Sequence, residues 1–326
     1  MLKVMRIGNS VTALQRQWSS LRSIIAAALL IAITAIADGA GAAQWMQGTP
    51  MPSARTEVAV AEVDGKVYVV GGFGGRSVTE IYDPAVDRWS VGAPPPRPVH
   101  HAAAVGISGR LFVVGGYTDG WRSVDSLYEY DPVVDRWRSR ASLPTPRGAL
   151  AAVVLDGKIH ALSGVGTNGR NTAAHEVYDP ETDKWRALAP LPTARDHLAA
   201  GVVANRIYVI GGRIDGSYGR NLAVTEEYDP QLNRWRARAP MPTARSGIAA
   251  ARLDGRVFVF GGEAPTGTFD RVEAYDPGSD RWSRHPPMPT ARHGLGAAAI
   301  GARIFVISGG PAPGGSFSTA NEIFMP

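Results

Sequence analysis

From residue 44 onward the chain alternates short apolar runs with turn residues. Runs such as "KVYVV", "RLFVV" and "RIYVI" are five residues long and rich in β-branched and aromatic side chains, which is the pattern of buried strands. Asp64-Gly65, Asp156-Gly157 and Asp254-Gly255 sit between paired runs, and Asp-Gly supplies the positive φ that a tight hairpin requires. A second hairpin is written as Tyr-Asp-Pro-x-x-Asp-x-Trp, in which Pro fixes φ and Asp bonds the turn backbone. Two hairpins per unit predict four strands, a to d. Strand a is poor in bulk ("HAAAV", "GALAAVV", "GIAAAR", "GLGAAAI"), which suits a strand near an axis where several sheets converge.

The unit recurs about every 48 residues. Tyr-Asp-Pro stands at Tyr82, Tyr130, Tyr178, Tyr228 and Tyr275, and each Tyr is followed seven residues later by Trp89, Trp137, Trp185, Trp235 or Trp282. Seven residues further come Pro96, Pro144, Pro192, Pro242 and Pro289, then strands a and b, then a Gly pair or its variants Ser163-Gly164 and Ser308-Gly309. Six units in register resemble the kelch repeat, and the resemblance covers residues 44–326. It implies an all-β, six-bladed β-propeller of four-stranded antiparallel blades. Tyr and Trp then belong to the packing between blades rather than to a sugar platform. Trp45 and Pro52 form a lone fourth strand, while the chain stops at Phe324-Met325-Pro326 where Tyr-Asp-Pro is due. Joined, the two ends complete a sixth blade and leave no open edge at the seam.

Composition removes several chemistries. The chain has no Cys, so a disulfide framework, a thiolate nucleophile and Cys-ligated zinc or iron–sulfur are excluded. The copper-radical oxidation of galactose oxidase, a relative in fold, needs a cysteine crosslink and is excluded with them. Walker-type, GxSxG and HExxH patterns are absent. Residues 1–43 differ from the rest: Lys3, Arg6, Arg16 and Arg22 precede the uncharged run 24–37 and the small stretch Ala40-Gly41-Ala42-Ala43. This fits a secretory signal peptide better than a spanning helix, the alternative being a retained N-terminal anchor. Its removal leaves 30 Lys plus Arg against 28 Asp plus Glu. Such a balance predicts no affinity for nucleic acid and no stable membrane insertion after cleavage. A periplasmic or secreted monomer is expected.

Function must be sought on the propeller's faces, because the fold is shared by many activities. The b-to-c and d-to-a connections share one face and carry the variable loops, where binding surfaces concentrate. Ten residues after each Trp stands Arg55, Arg147, Arg195, Arg245 or Arg292, and strand c carries Glu80, Glu176, Glu226, Glu273 or Glu322. Blade 2 alone lacks both, with Val99 and Tyr128. Paired losses point to an ion pair within each blade, the Arg passing over the side-chain-free Gly of strand b.

Two sets remain for function. Arg76, Arg122, Arg170 and Arg220, with Trp121, Asn171, Tyr218 and Asn221, lie in four successive loops as a cationic crescent able to hold carboxylates. Glu57, His101 and His197 stand at the channel mouth, near His100, Asp196 and His293. No spacing along the chain forces a metal site, and no cofactor is implied. The first set predicts a non-catalytic module that binds a protein or an anionic glycan. The alternative resembles the periplasmic sialic acid mutarotase kelch propellers, a sugar epimerase or mutarotase using acid–base groups at the mouth. If the leader reading holds, N-terminal sequencing of the exported protein returns a start between Asp38 and Gln44. A start at Met1 contradicts it.

Overall fold

Every predicted hairpin pair closes into a four-stranded antiparallel sheet in the computed structural model, which describes residues 43–74 and 77–326. Residues 1–42 of the expected signal peptide, and Arg76, lie outside the described residues. Blade 1 runs Ala59–Val63, Lys66–Val70, Thr79–Asp83, Arg88–Gly92, and blades 2 to 5 repeat it over 103–139, 151–187, 199–238 and 249–285. Blade 6 takes Gly296–Ile300, Arg303–Ile307 and Asn321–Met325 from one end and Gln44–Gln47 from the other. The fold is a six-bladed β-propeller. Among the described residues there is no α-helix, only single 3₁₀ turns at Asp119–Trp121 and Tyr218–Arg220.

The seam forms as the two ends of the sequence require. Trp45 stands opposite Phe324, with ring centroids 4.9 Å apart, and its indole N–H donates to the Pro286 carbonyl of blade 5. The same clamp recurs around the ring. Trp89, Trp137, Trp185, Trp235 and Trp282 donate to the carbonyls of Thr49, Ala93, Ala141, Ala189 and Ala239 in the preceding blade. The hairpin Asp or Asn five residues after each Tyr accepts the Tyr hydroxyl and the backbone N–H of that same neighbouring segment. One motif thus folds its own hairpin and fastens the next blade.

The five arginines are fully buried and each meets the glutamate of its own blade. Arg55 lies 3.0 Å from Glu80, Arg147 2.6 Å from Glu176 and Arg195 2.5 Å from Glu226, and Arg245–Glu273 and Arg292–Glu322 repeat the contact. Other N–H groups of these arginines donate to strand-b carbonyls such as Ala161, Val209 and Val306, while Nε of Arg147 and of Arg195 finds no hydrogen-bond partner among the described residues. Blade 2 fills the space with buried Val99 and Tyr128 instead. These additional hydrogen bonds help to offset the desolvation of a buried ion pair.

Blade 3 breaks the repeat in its core. His160 takes the place of Tyr68 and Tyr208, and His175 that of Thr79 and Thr225. Their rings share a hydrogen bond of 2.8 Å, and burial drives the pKa of His160 down to about 4 and that of His175 to about 3. Below pH 6.5 the unfolded chain takes up protons that the folded blade refuses, so their contribution is intact above 6.5 and is lost as pH falls. The slope is about 1.4 kcal/mol per pH unit per histidine. Melting curves between pH 7 and 4.5 therefore fall less steeply for the double substitution His160→Tyr, His175→Thr. Equal slopes contradict the assignment.

Candidate functional site

The backbone at the buried arginine position ties neighbouring blades together. Its carbonyl accepts the N–H of the second Gly of the preceding blade's pair, from Gly72→Val99 round to Gly309→Arg55, so six such bonds form a closed belt. The first Gly or Ser of each pair has φ between 54° and 67°, while the second has φ between 89° and 118°. Only the first lies where another residue is tolerated, which explains why Ser163 and Ser308 replace Gly there and never at the second position. Their hydroxyls donate to the carbonyls of Arg195 and Arg55 at 2.7 Å.

The second residue after the arginine position makes a smaller belt nearer the axis. Glu57 N–H donates to Gly294, His101 to Glu57, Ala149 to His101, His197 to Ala149, Gly247 to His197 and Gly294 to Gly247. All six are left-handed, with φ from 51° to 65°. Blades 5 and 6 use Gly, the residue without strain there, whereas blades 1, 2 and 4 place Glu57, His101 and His197. Non-Gly residues so held cost about 1 kcal/mol or more each and cluster at functional sites. The Gly at 294 also makes room, since a Cβ there would lie 2.7 Å from Glu57 Oε1.

Two further positions complete each blade's share of the mouth. The first residue after the arginine pairs with the residue after the Gly pair, as in Thr56–Phe73, His100–Tyr117, Asp196–Arg213, Ser246–Glu263 and His293–Gly310. In blade 3 these positions hold Gly148 and Val165 and contribute no charge.

Arg213 is the hub. Its Nε donates to Asp196 Oδ1 at 3.2 Å, one terminal nitrogen to Glu263 Oε1 at 2.7 Å and the other to His197 Nε2 at 2.8 Å. Since His197 Nε2 accepts from a guanidinium, its Nδ1 carries the proton and donates to Asp196 at 2.6 Å. Burial opposes ionisation of Asp196, but hydrogen bonds from His197, Asn171 and the Gly216 backbone overcome it and hold the carboxyl at about 2. Burial, with the Arg213 guanidinium nearby, pushes His101 well below the usual imidazole range. His101 Nε2 faces Glu57 Oε2 at 3.3 Å, and its Nδ1 shares a 2.7 Å hydrogen bond with His100 Nδ1. His293 Nε2 lies 3.6 Å from Glu57 and 3.5 Å from Glu263. Burial, with Asp196 nearby, also raises the Tyr117 phenol and keeps it un-ionised.

Above this floor opens a pocket of 390 Å³, walled by Phe73, Trp121, Tyr218 and Phe317. Trp121 and Tyr218 are carried by the two 3₁₀ turns, and Arg213 lies 4.5 Å over the Tyr218 ring. Beneath the small belt the channel continues as a 460 Å³ space lined mostly by alanine and valine of the a strands. Glu62 and Arg252 are the charged residues that line this lower space.

The structure divides the loop residues of the cationic crescent. Trp121 and Tyr218 reach the pocket. Asn171 instead donates to Asp196 at 2.6 Å, and Asn221 donates to the Glu263 carbonyl at 2.7 Å and accepts from Ser246, so both position the next blade's mouth residues. Arg122, Arg170 and Arg220 are exposed and do not line the pocket, and Arg220 lies 3.6 Å from Asp215. Glu57, His101 and His197 converge, with ligand atoms within 4.8 Å of one another. Sequence reasoning missed Arg213 and Glu263. Their signal was position, one residue past the Gly pair, where the other blades carry Phe73, Tyr117, Val165 and Gly310.

Comparison with known proteins agrees with the fold. A family profile described as the kelch motif matches residues 54–96 and 98–144, and one described as the KLHDC2/KLHL20/DRC7 kelch-repeats domain matches residues 188–324. Together they span more than two thirds of the chain. No curated protein matches it. The solved structure of YjhT superposes with a TM-score of 0.75 over 83% of this chain and 95% of its own, at 17% identity, and so supports the fold alone.

Proposed function

The chain belongs to the kelch-repeat family, and from that premise we propose that its working site is the channel mouth, a pocket that binds a small hydroxylated ring such as a neutral monosaccharide. One observation carries this reading: the carboxylates of Glu57 and Glu263 open into a 390 Å³ pocket whose rim is aromatic. Carboxylates accept hydroxyl donors, and aromatic rings cover the apolar faces of a sugar. The volume lies in the usual range for small-ligand sites. Arg213 is committed to Asp196, Glu263 and His197, and blade 5 adds a carboxylate without a second guanidinium. An anionic glycan would meet two uncompensated carboxylates there, so the neutral ring is favoured over the acidic one. The leader reading, if correct, puts this pocket outside the cytoplasm.

A second reading rests on backbone strain. Glu57, His101 and His197 occupy left-handed positions where Gly serves in blades 5 and 6. Proton transfer gives a reason to hold them there. Interconversion of sugar anomers needs a proton taken from one oxygen of a held ring and returned to another, and Glu57 is the group at the pocket floor that would accept and return it.

Saturation-transfer NMR with a panel of neutral monosaccharides tests the site. Trp121→Ala and Tyr218→Ala are expected to weaken binding at least tenfold, whereas Arg122→Ala and Arg170→Ala leave it unchanged. Faster exchange between anomer signals with the wild-type protein, lost in Glu57→Gln, supports the catalytic reading. Binding of acidic glycans that depends on Arg122 and Arg170 instead would move the site to the loops.

A further inference from the structure

We infer that Glu57, Glu263 and His293 form a binding site for one divalent transition-metal cation at the floor of the pocket. The three ligand atoms lie within 4.8 Å of one another. His293 Nε2 is 3.6 Å from Glu57 Oε1 and 3.5 Å from Glu263 Oε2, beyond hydrogen-bond length on both sides. A tetrahedral cation with ligand bonds of ~2.1 Å holds its ligands ~3.4 Å apart, so the spacing suits a shared ion better than a direct contact.

The surroundings orient each ligand outward from the same point. His293 Nδ1 lies 3.1 Å from the Gly310 carbonyl and must be the donor there, which leaves Nε2 toward the two carboxylates. Glu263 Oε1 accepts from Arg213 at 2.7 Å, and Oε2 accepts the Gly314 N–H at 3.3 Å and keeps its second lone pair toward His293. Glu57 Oε2 faces His101, which leaves Oε1 for the same centre. An imidazole whose other nitrogen bonds a carbonyl, and a carboxylate whose other oxygen is held, are the outer contacts that metal ligands use.

Charge points the same way. Glu57, Asp196 and Glu263 bring three carboxylates to the mouth, and among the described residues Arg213 is the only guanidinium paired with them. A divalent ion would bring that formal count to zero, in keeping with the rule that buried charges are compensated. The other histidine set at the mouth does not serve. His197 has both nitrogens committed, Nδ1 to Asp196 and Nε2 to Arg213, and keeps no lone pair for a metal. The ligands come from blades 1, 5 and 6, so no spacing along the chain announces them. Two carboxylates and an imidazole suit Mn²⁺ or Zn²⁺. This inference stands apart from the sugar reading, since the ion needs no other ligand to be detected.

The test is titration of the full folded protein, stripped with EDTA, with Mn²⁺ alone followed by EPR and with Zn²⁺ alone followed by calorimetry. One equivalent is expected to bind. Glu263→Gln and His293→Gln are each expected to weaken it at least tenfold, and Arg170→Ala to leave it unchanged. Pulsed EPR of the wild-type Mn²⁺ complex is expected to show one directly bound imidazole nitrogen, which carries the test if a variant does not fold. No binding at millimolar metal, binding indifferent to both substitutions, or a spectrum without imidazole nitrogen overturns the site.

Discussion

Everything at the mouth depends on two closed belts of backbone hydrogen bonds that run from blade to blade around the axis. Each belt has six bonds, one per blade, and each bond requires a backbone conformation that most residues avoid. The outer belt needs a second Gly of positive φ in every pair. The inner one needs a left-handed residue two places after the arginine position. Between them the belts fix the two short segments that carry each blade's three mouth residues. Closure explains why the seam matters too, because the bond from Gly309 to Arg55 and that from Glu57 to Gly294 join the two ends of the chain.

The buried arginines serve this arrangement rather than a ligand. Each is anchored by its own blade's glutamate and by strand-b carbonyls, and so holds its segment against the belt. Ion pairs removed from water in this way add more to geometric definition than to net stability. With the scaffold held by repeated interactions, the three mouth positions are free to vary. Blades 1, 4, 5 and 6 each place at least one charged or imidazole side chain among them, blade 2 places Tyr117 and paired histidines, and blade 3 places Gly148, Ala149 and Val165. The asymmetry of the site is thus written on a regular ring.

The repeat made the scaffold legible. Trp and the second Gly of each pair perform one physical task in every blade, Tyr does so in five with Phe324 in its place in the sixth, and the Asp-Gly turns recur in blades 1, 3 and 5. Even the arginine–glutamate pairing could be read, because blade 2 lost both partners together. The site was only half legible for the converse reason. Glu57, His101 and His197 drew notice as chemistry-bearing residues beside strand a, but Arg213 and Glu263 stood at a position where other blades carry unrelated side chains. The loop arginines were legible as a shared face but not as a shared direction. Arg122 and Arg170 share a loop face, but sharing a face does not aim a side chain, and the 3₁₀ turns direct Trp121 and Tyr218 inward instead.

The central claim is that the mouth residues are held against local backbone preference for binding, while the belts hold the fold. Substituting Glu57→Gly separates the two most directly, since Gly keeps both belt bonds and is what blades 5 and 6 use at this position. The account predicts a melting temperature equal to or above that of the wild type, with relief of about 1 kcal/mol of strain, together with loss of binding at the mouth. A marked fall in melting temperature with binding retained would contradict it and make Glu57 part of the scaffold.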